Sequence, residues 1–449
     1  MPDDIIFQPL KFRKLEVKNR IFRSNIAGRF GNYDGSGSRA RINWELKFAR
    51  GGVGAIISSF VPVDMRGRIL PNYATIHDDD RIPFWKKLIK EVHEAADPPC
   101  KYIMQLSYAG RQRDDGGVDN LRKIALSSTN STDPFHGIRC RAMTLEEIEQ
   151  TIEHFAEGAR RAQEAGADGV ELHGANGYLI TQFLSSAIND RTDQYGGSLE
   201  NRARFVRDIF RAIRKKVGPD FHLQMKINAI DYDNVLTLNP FAKRGNTLED
   251  TIQICQWLEA DGVDALHIST GSLFPHPLNP PGGFPLELGE KSYGAMLASG
   301  THTLRNYLLF RYRILRPIFT FLWNRLKKGH PVEGINAESA RAIKQKVGIP
   351  VLCTGGFQRA SFVREKLEQG YFDGVTIARA LIANNDLAKV WAAGKDQPDR
   401  PCTHCNRCLL YAPAYPLGCY ETDRYDGADK DARYDNMIKE VFSVYDPPR

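Results

Sequence analysis

The chain has 449 residues, of which 42% are apolar and 26% charged, a balance typical of a globular protein rather than a disordered or fibrous one. Its net charge is +7, but eight Lys or Arg and no Asp or Glu lie between Lys291 and Val332. The positive excess therefore belongs to one segment, which argues against a nucleic-acid-binding protein. The first residues lack a secretory pattern, and no segment is long and apolar enough to span a bilayer. These features predict a cytoplasmic protein with reduced cysteines.

Eight short apolar segments, each bounded by Gly, Asp or Pro, are predicted strands. They cover residues 21–26, 53–59, 101–107, 168–174, 221–227, 263–269, 349–355 and 372–378. Helical patterns separate them; the clearest run from Thr144 to Gly166, with a capping box at Thr144, and from Ser198 to Gly218. Strands that are apolar on both faces and alternate with helices indicate a parallel sheet. Eight such units favour an α/β fold of the closed (β/α)8, or TIM, barrel type.

Two segments depart from this alternation. An insertion of more than sixty residues, about 270–333, separates predicted strands 6 and 7, and a tail follows the last barrel helix. The sequence therefore predicts a barrel over 1–396 and a C-terminal tail over 397–449. In a barrel of this type the chemistry belongs to the loops after the strands, and phosphate groups bind after strands 7 and 8.

The turn after predicted strand 4 carries His173, Asn176 and Tyr178. A neutral imidazole and an amide can both donate to a carbonyl oxygen on which charge develops, and a phenol can donate a proton to a nearby carbon. An isolated pattern of this kind is more often a buried His and Tyr whose polar atoms bond to the backbone. The flanking residues decide between the two interpretations.

The blocks HGANGYL and NDRTDQYGGSLENR, which contain and follow these residues, resemble the Old Yellow Enzyme family of FMN-dependent oxidoreductases. The resemblance covers roughly residues 5–395. It implies that His173 and Asn176 bind the carbonyl or anion of a substrate and that Tyr178 donates a proton.

The resemblance extends to residues expected beside the flavin ring: Asn25, Ala27, Gln105 and Lys226. Asn25 stands where the family usually has Pro, and Ala27 stands where a Thr or Cys tunes the flavin. Gln105 matches the amide that bonds the pyrimidine edge. Lys226 replaces an Arg; either cation stabilises the anionic reduced ring, but Lys lacks the bidentate fork.

The phosphate end is predicted from the residues themselves as well as from the resemblance. Strand 7 is followed by Gly355 and Gly356, and strand 8 ends at Ala378 and Arg379. Paired glycines let backbone N–H groups approach a phosphate, and the arginine can bind it bidentately.

Four cysteines in the tail, Cys402, Cys405, Cys408 and Cys419, follow the pattern C-x2-C-x2-C-x10-C. This is ligand spacing for a metal centre, and it resembles the cluster motif of the trimethylamine dehydrogenase and dienoyl-CoA reductase branch. That branch links the cluster to a second nucleotide-binding domain, which the thirty residues after Cys419 do not provide. A [4Fe–4S] cluster, a zinc ion and unliganded thiols remain open, and His404 is expected to take no part.

The inserted segment 304–328, LRNYLLFRYRILRPIFTFLWNRLKK, interleaves seven basic residues with apolar and aromatic ones, and Pro317 is expected to kink or split any helix there. Three interpretations are open: a helix lying on a membrane surface, a lid over the site, and a subunit contact in a homo-oligomer.

The favoured function is an NAD(P)H-driven FMN reductase of an activated C=C bond, with an α,β-unsaturated carbonyl as the small-molecule substrate. The alternative is a dehydrogenase that passes electrons from FMN through an iron–sulfur cluster to a partner protein. A flavin-binding barrel without turnover is a third hypothesis, which the intact His173, Asn176 and Tyr178 set argues against.

Overall fold

A closed barrel of eight parallel strands organises the chain, as the sequence predicts. The computed structural model describes residues 4–26, 28–114, 122–232, 245–272, 275–297 and 299–445. The strands are β1 Ile21–Arg23, β2 Ala55–Ile57, β3 Lys101–Ser107, β4 Gly169–Gly174, β5 His222–Asn228, β6 Ala265–Ser269, β7 Val351–Thr354 and β8 Gly374–Ile377. Each pairs in parallel with the next, and β8 pairs with β1, so the sheet has no open edge between first and last strand.

Helices surround the barrel, one principal helix after each strand. They are Arg39–Arg50, Ile82–Glu94, Leu145–Glu164, Leu199–Val217, Leu248–Ala260, Ala337–Lys344, Ala360–Glu368 and Leu387–Ala392. The two helices predicted most clearly are confirmed with their caps. The Thr144 side chain accepts from the Glu147 backbone in a capping box, and Ser198 begins the helix that Gly218 ends.

Several shorter strands and helices flank the barrel. An antiparallel pair, Leu10–Lys11 with Glu16–Val17, precedes β1; the short strand Val61–Pro62 extends the sheet beside β3; and Ala125–Ser127 pairs with Cys140–Ala142 in the loop after β3. Short helices Leu179–Leu184 and Arg379–Ala383 follow β4 and β8 directly.

The insertion after β6 contains the helices Leu286–Ala295, Thr303–Arg311 and Arg316–Lys327. Pro317 lies in the first turn of the third helix, where its missing N–H costs nothing, and the predicted split falls just before it. None of the described helices is long and apolar enough to cross a membrane.

The tail adds the helices Arg407–Tyr411 and Lys430–Phe442 and packs on the barrel. Leu417 and Val444 belong to the same buried apolar cluster as the barrel helices. The division between barrel and tail at residue 396 stays a prediction.

A buried ion network joins β1 to the first barrel helix. The carboxylate of Glu45 pairs with the guanidinium groups of Arg23 and Arg41, the latter at 2.9 Å, and the three side chains are almost completely buried. Burial lowers the pKa of Arg23 to about 9, the direction expected when a cation leaves water. Two buried cations thus depend on one carboxylate.

We expect Glu45→Gln to lower the free energy of unfolding by about 3–5 kcal/mol, since it leaves two buried guanidinium groups without a counter-charge. Urea unfolding measures this. The matched control is Glu440→Gln, which breaks the half-exposed ion pair with Lys47 and is expected to cost less than about 1 kcal/mol. Similar losses in the two variants would contradict the role of the network.

Candidate active site

A cavity opens at the mouth of the barrel, where the carboxyl ends of the strands meet. Its wall includes residues at or just beyond the ends of six strands: Ser24 and Asn25 after β1, His173 in β4, Lys226 in β5, Ser269 in β6, Thr354 in β7, and Ala378 with Arg379 after β8. Asn176 and Tyr178 from the turn after β4 complete it. The structure therefore brings eight of the residues singled out in the sequence, Cys408 among them, into one wall.

Two residues in the turn after β4 have left-handed backbone conformations, which fix the directions of the neighbouring side chains. Asn176 has a φ of 63° and Gly177 a φ of 81°, both in the left-handed region. A Cβ at Gly177 would lie 2.2 Å from the Ser272 carbonyl oxygen, so only glycine fits there. The strained Asn176 is held by its carbonyl, which accepts a hydrogen bond from Gln112 Nε2 at 3.0 Å. Strain of this kind at a cavity wall is typical of functional sites.

His173 and Tyr178 lie edge to face, with ring centroids 4.8 Å apart, and Phe60 packs on Tyr178 at 5.0 Å. Burial and the nearby Lys226 ammonium hold the pKa of His173 well below its usual range, so its imidazole is neutral. Burial raises the pKa of Tyr178 well above that of a free phenol. Both rings are therefore uncharged hydrogen-bonding groups at neutral pH.

Lys226 places a positive charge near the His173 ring. Its Nζ donates to Asn25 Oδ1 at 2.5 Å, and Asn25 Nδ2 lies 3.4 Å from His173 Nε2. Burial lowers the pKa of Lys226 to about 8, while the carboxylate of Glu171 opposes that shift. The ammonium form still predominates at neutral pH and places one positive charge beside two neutral donors.

One of the residues expected beside the flavin, Gln105, lies elsewhere in the structure. Gln105 does not line the cavity; its Nε2 donates to Glu171 Oε1 at 2.7 Å in the barrel interior, and its Oε1 is buried with no partner in the described part of the chain. Ala27 lies outside the described residues. The flavin-binding roles of both remain predictions.

The predicted phosphate end forms a second cavity continuous with the first. Gly355, Gly356, Ala378 and Arg379 line it, and Ala378, Arg379 and Thr354 belong to both cavities. Gly356 has a φ of 69°, and a Cβ there would lie 2.3 Å from the Val332 carbonyl oxygen. A glycine is therefore required for the chain to pass at this point.

Arg379 is oriented by the tail. Its Nη1 donates to Asn406 Oδ1 at 2.6 Å and to the Pro281 carbonyl at 2.7 Å. Asn406 was not singled out in the sequence, since nothing in its neighbourhood shows that it returns to the barrel mouth.

His404, which is expected to take no part in a metal centre, also lies in the wall of the phosphate-end cavity. It bonds to the backbone of Gly356, and burial lowers its pKa to about 4. Its carbonyl accepts from the backbone N–H of Gly283 at 3.0 Å, which ties the tail to the insertion.

The four tail cysteines line one small cavity together with Arg379 and Arg424. Arg424 Nη1 lies 3.2 Å from Cys419 Sγ, and Cys408 lines the main cavity as well. Among the described residues no three His, Cys, Asp or Glu side chains converge closely enough to hold a single metal ion. Four thiols beside two arginine side chains are a suitable set of groups for binding an anionic iron–sulfur cluster. The cluster itself remains a prediction.

A third, apolar cavity adjoins the first. The two share Ile69, Leu70, Tyr73, Tyr178, Leu409 and Ala412, and the far wall of the third comes from the insertion through Phe284, Tyr293 and Met296. The insertion and the tail thus shape the space next to Tyr178.

Comparison with known proteins places this arrangement among the flavin-dependent oxidoreductase barrels. The model of the NADH:flavin oxidoreductase / NADH oxidase family matches residues 5–280. The chain therefore belongs to this family, which confirms the resemblance seen in the sequence.

Three relatives show the extent of the likeness. The chain is 31% identical over 402 residues to an NADH oxidase of Thermoanaerobacter brockii, which covers 89% of this chain and 52% of that protein. It is 27% identical over 417 residues to a cinnamate reductase of Clostridium sporogenes, covering 89% and 54% respectively. The fold of a 2-naphthoyl-CoA reductase, solved with 2-naphthoyl-CoA, superposes with a TM-score of 0.76 at 24% identity over 99% of this chain and 58% of the other. The chain thus spans little more than half the length of these three relatives.

FMN, the cofactor that this family implies, fits the joined cavities chemically. The glycine turn and Arg379 suit a phosphate, and Lys226 suits the electron-rich edge of a reduced ring. The buried oxygens Asn176 Oδ1 and Gln105 Oε1 have no partner in the described chain, so two acceptors are available at or near the cavity.

We expect Arg379→Ala to weaken FMN binding by about 1.5–3 kcal/mol, because it removes a charge-assisted pair from the phosphate end. Titration of the apoprotein with FMN, followed by flavin fluorescence, measures this. The control is Arg359→Ala, which removes a half-exposed arginine that pairs with Glu333 and lies in the loop after β7. Unchanged affinity in Arg379→Ala would remove Arg379 from the phosphate site.

Proposed function

We propose that the protein is an FMN-dependent reductase that uses NAD(P)H to reduce a C=C bond conjugated to a carbonyl group. The observation that carries the proposal is the convergence of His173, Asn176 and Tyr178 on one wall of the cavity that Lys226 and Arg379 also line. Bound FMN, once reduced, supplies the hydride.

His173 and Asn176 bind the carbonyl oxygen of the substrate. Their side chains lie in the cavity wall, and the low pKa of His173 keeps the imidazole neutral, so that it donates a hydrogen bond without adding a charge. Donors aimed at this oxygen stabilise the negative charge that develops there as hydride reaches the β-carbon. The rigid turn at Asn176 holds one of the two donors in place before the substrate arrives.

Tyr178 gives its proton to the α-carbon. Its raised pKa keeps the phenol protonated at neutral pH, the form that a general acid needs. Phe60 and the His173 ring both pack edge to face on the phenol, at 5.0 and 4.8 Å between ring centroids, and limit its rotation. Lys226, meanwhile, keeps a positive charge at the cavity and favours the anionic reduced cofactor.

The apolar cavity beside Tyr178 supports a substrate with an apolar substituent on the alkene. Ile138, Phe284, Tyr293 and Met296 line it, and it opens into the main cavity at Tyr178. One relative is named a cinnamate reductase, and cinnamate carries an aryl group on its alkene, which is consistent with such a substituent here.

We expect Tyr178→Phe to leave flavin reduction by NAD(P)H nearly unchanged and to slow reduction of an aryl-substituted enone by about 100-fold or more, because only the proton donor is lost. Rapid-mixing measurements of the two half-reactions test this. Tyr73→Phe is the matched control, since Tyr73 is a second buried tyrosine of the same cavity. If Tyr73→Phe slowed reduction of the enone and Tyr178→Phe did not, Tyr73 would be the proton donor and the proposed role of Tyr178 would be wrong.

A second function, a dehydrogenase that passes electrons to a partner protein, is favoured by one observation. Cys408 lines both the cysteine cavity and the main cavity, so the tail thiols lie directly beside the proposed flavin site. Cys402, Cys405, Cys408 and Cys419 would hold an iron–sulfur cluster there, and a cluster would supply one-electron transfer. Burial raises the pKa of Cys408, so the free thiol stays protonated and metal binding must displace its proton.

We expect the double variant Cys402→Ser, Cys405→Ser to lose iron and acid-labile sulfide while its barrel stays folded, since all eight strands precede the tail. Anaerobic purification with metal and sulfide analysis measures this. Cys140→Ser, a partly buried thiol in the loop after β3, is the control and should keep the metal content of the natural protein. Absence of stoichiometric iron from the natural protein would remove the dehydrogenase alternative; stoichiometric zinc would do the same.

A further inference from the structure

The insertion presents an apolar surface that nothing in the described chain covers. Of the sixteen large apolar side chains that are exposed in the described residues, nine lie between 297 and 322. The most exposed of these nine are Ile314 at 83%, Phe321 at 63% and Ile318 at 60%. Such a concentration of exposed apolar side chains in one segment of a folded protein is typical of an interaction surface.

The helix Arg316–Lys327 is apolar on two sides, and only one side is used by the fold. Its inner side places Phe319 and Trp323 against Phe284, with ring centroids 5.2 and 4.7 Å away. Trp323 also donates its indole N–H to the Gly282 carbonyl at 3.2 Å. The outer side carries Ile318, Phe321 and Leu322 in helical spacing. The outer residues therefore leave much of their apolar surface outside the packed core, and their exposure needs another reason.

Positive charge surrounds this apolar surface. Segment 304–328 contains seven Lys or Arg and no acid. Glu290, on the neighbouring helix, pairs with Arg311 and Arg316 at 3.4 Å each. Arg313, Arg325 and Lys328 are exposed, and in the described residues none of them has a carboxylate within ion-pair distance. Their charges are free to meet an external anion.

We propose that this surface, the outer side of helices Thr303–Arg311 and Arg316–Lys327 with the turn between them, binds the interface of an anionic phospholipid membrane. The apolar side chains enter the boundary between headgroups and acyl chains, and the arginines and lysine meet the lipid phosphates. The proposal does not depend on the proposed catalytic function.

The charge of this surface favours a membrane over a second copy of the chain as its binding partner. A twofold dimer would place this surface against itself, which brings the unpaired cations of one copy onto those of the other. Like charges facing each other across an interface oppose association. An anionic lipid surface satisfies the apolar and the basic groups together.

Sedimentation with lipid vesicles tests the proposal. The full chain is expected to bind vesicles of mixed phosphatidylcholine and phosphatidylglycerol, to bind phosphatidylcholine vesicles at least about tenfold more weakly, and to lose binding as salt rises. The variant Arg313→Gln, Arg325→Gln, Lys328→Gln should lose the preference for the anionic vesicles.

Substitutions of the exposed apolar side chains are the second part of the vesicle-binding experiment. Ile318→Ser with Phe321→Ser should weaken binding to the anionic vesicles at least about tenfold. Tyr434→Ser with Phe442→Ser, exposed apolar residues of the tail helix, is the matched control and should bind as the natural chain does. The proposal is overturned if the natural chain does not sediment with anionic vesicles, or if both pairs of substitutions weaken binding equally. It is also overturned if ultracentrifugation shows a self-association that Ile318→Ser with Phe321→Ser abolishes.

Discussion

The pairing of β8 with β1 is the constraint on which the site depends. Closure sets Ile377 opposite Arg23, so the residues just beyond these two strands, Arg379 and Asn25, reach the same mouth although more than three hundred positions separate them. The parallel register between β4 and β5 likewise sets Lys226 opposite His173. An open sheet would leave β1 and β8 at opposite edges and split the phosphate end from the ring end. The long insertion and the tail are tolerated because they leave from the mouth and return to it without breaking a strand pair.

Burial at the mouth assigns the protonation states that the proposed chemistry uses. The same loss of hydration that lowers the pKa of His173 raises that of Tyr178, and so both groups stay neutral. Lys226 starts from a much higher reference value, so a comparable environment leaves its pKa near 8 and the group charged at neutral pH. Burial in the same apolar surroundings therefore leaves Lys226 charged and His173 and Tyr178 neutral. Because each group is placed by a different strand end or turn, no single loop rearrangement changes all three.

The barrel and most of the site were predictable from the sequence, because both rest on local signals. Strand length, helix caps and the glycines at 355 and 356 are read within a few residues of the chain, and the motif blocks around His173 are long enough to be specific. The contacts made by Asn406 and His404 were not predictable, since they depend on how the tail folds back over the barrel. The placement of Gln105 shows a similar limit: the sequence locates it on β3 but does not determine that its amide bonds to Glu171 inside the barrel. For segment 304–328, composition left three interpretations open, and the exposure of Ile314, Ile318 and Phe321 is the observation on which the membrane proposal rests.

The hydrogen bond between Arg379 and Asn406 has a consequence for the order of assembly. Arg379 follows the last barrel strand, but the group that orients it lies beyond Cys405, and His404 supplies part of the same cavity wall. The phosphate end is therefore incomplete until the tail has docked, even when all eight strands are paired. For the proposed FMN site, cofactor capture would then come late in the maturation of the chain, and retention of flavin would report that the tail has docked.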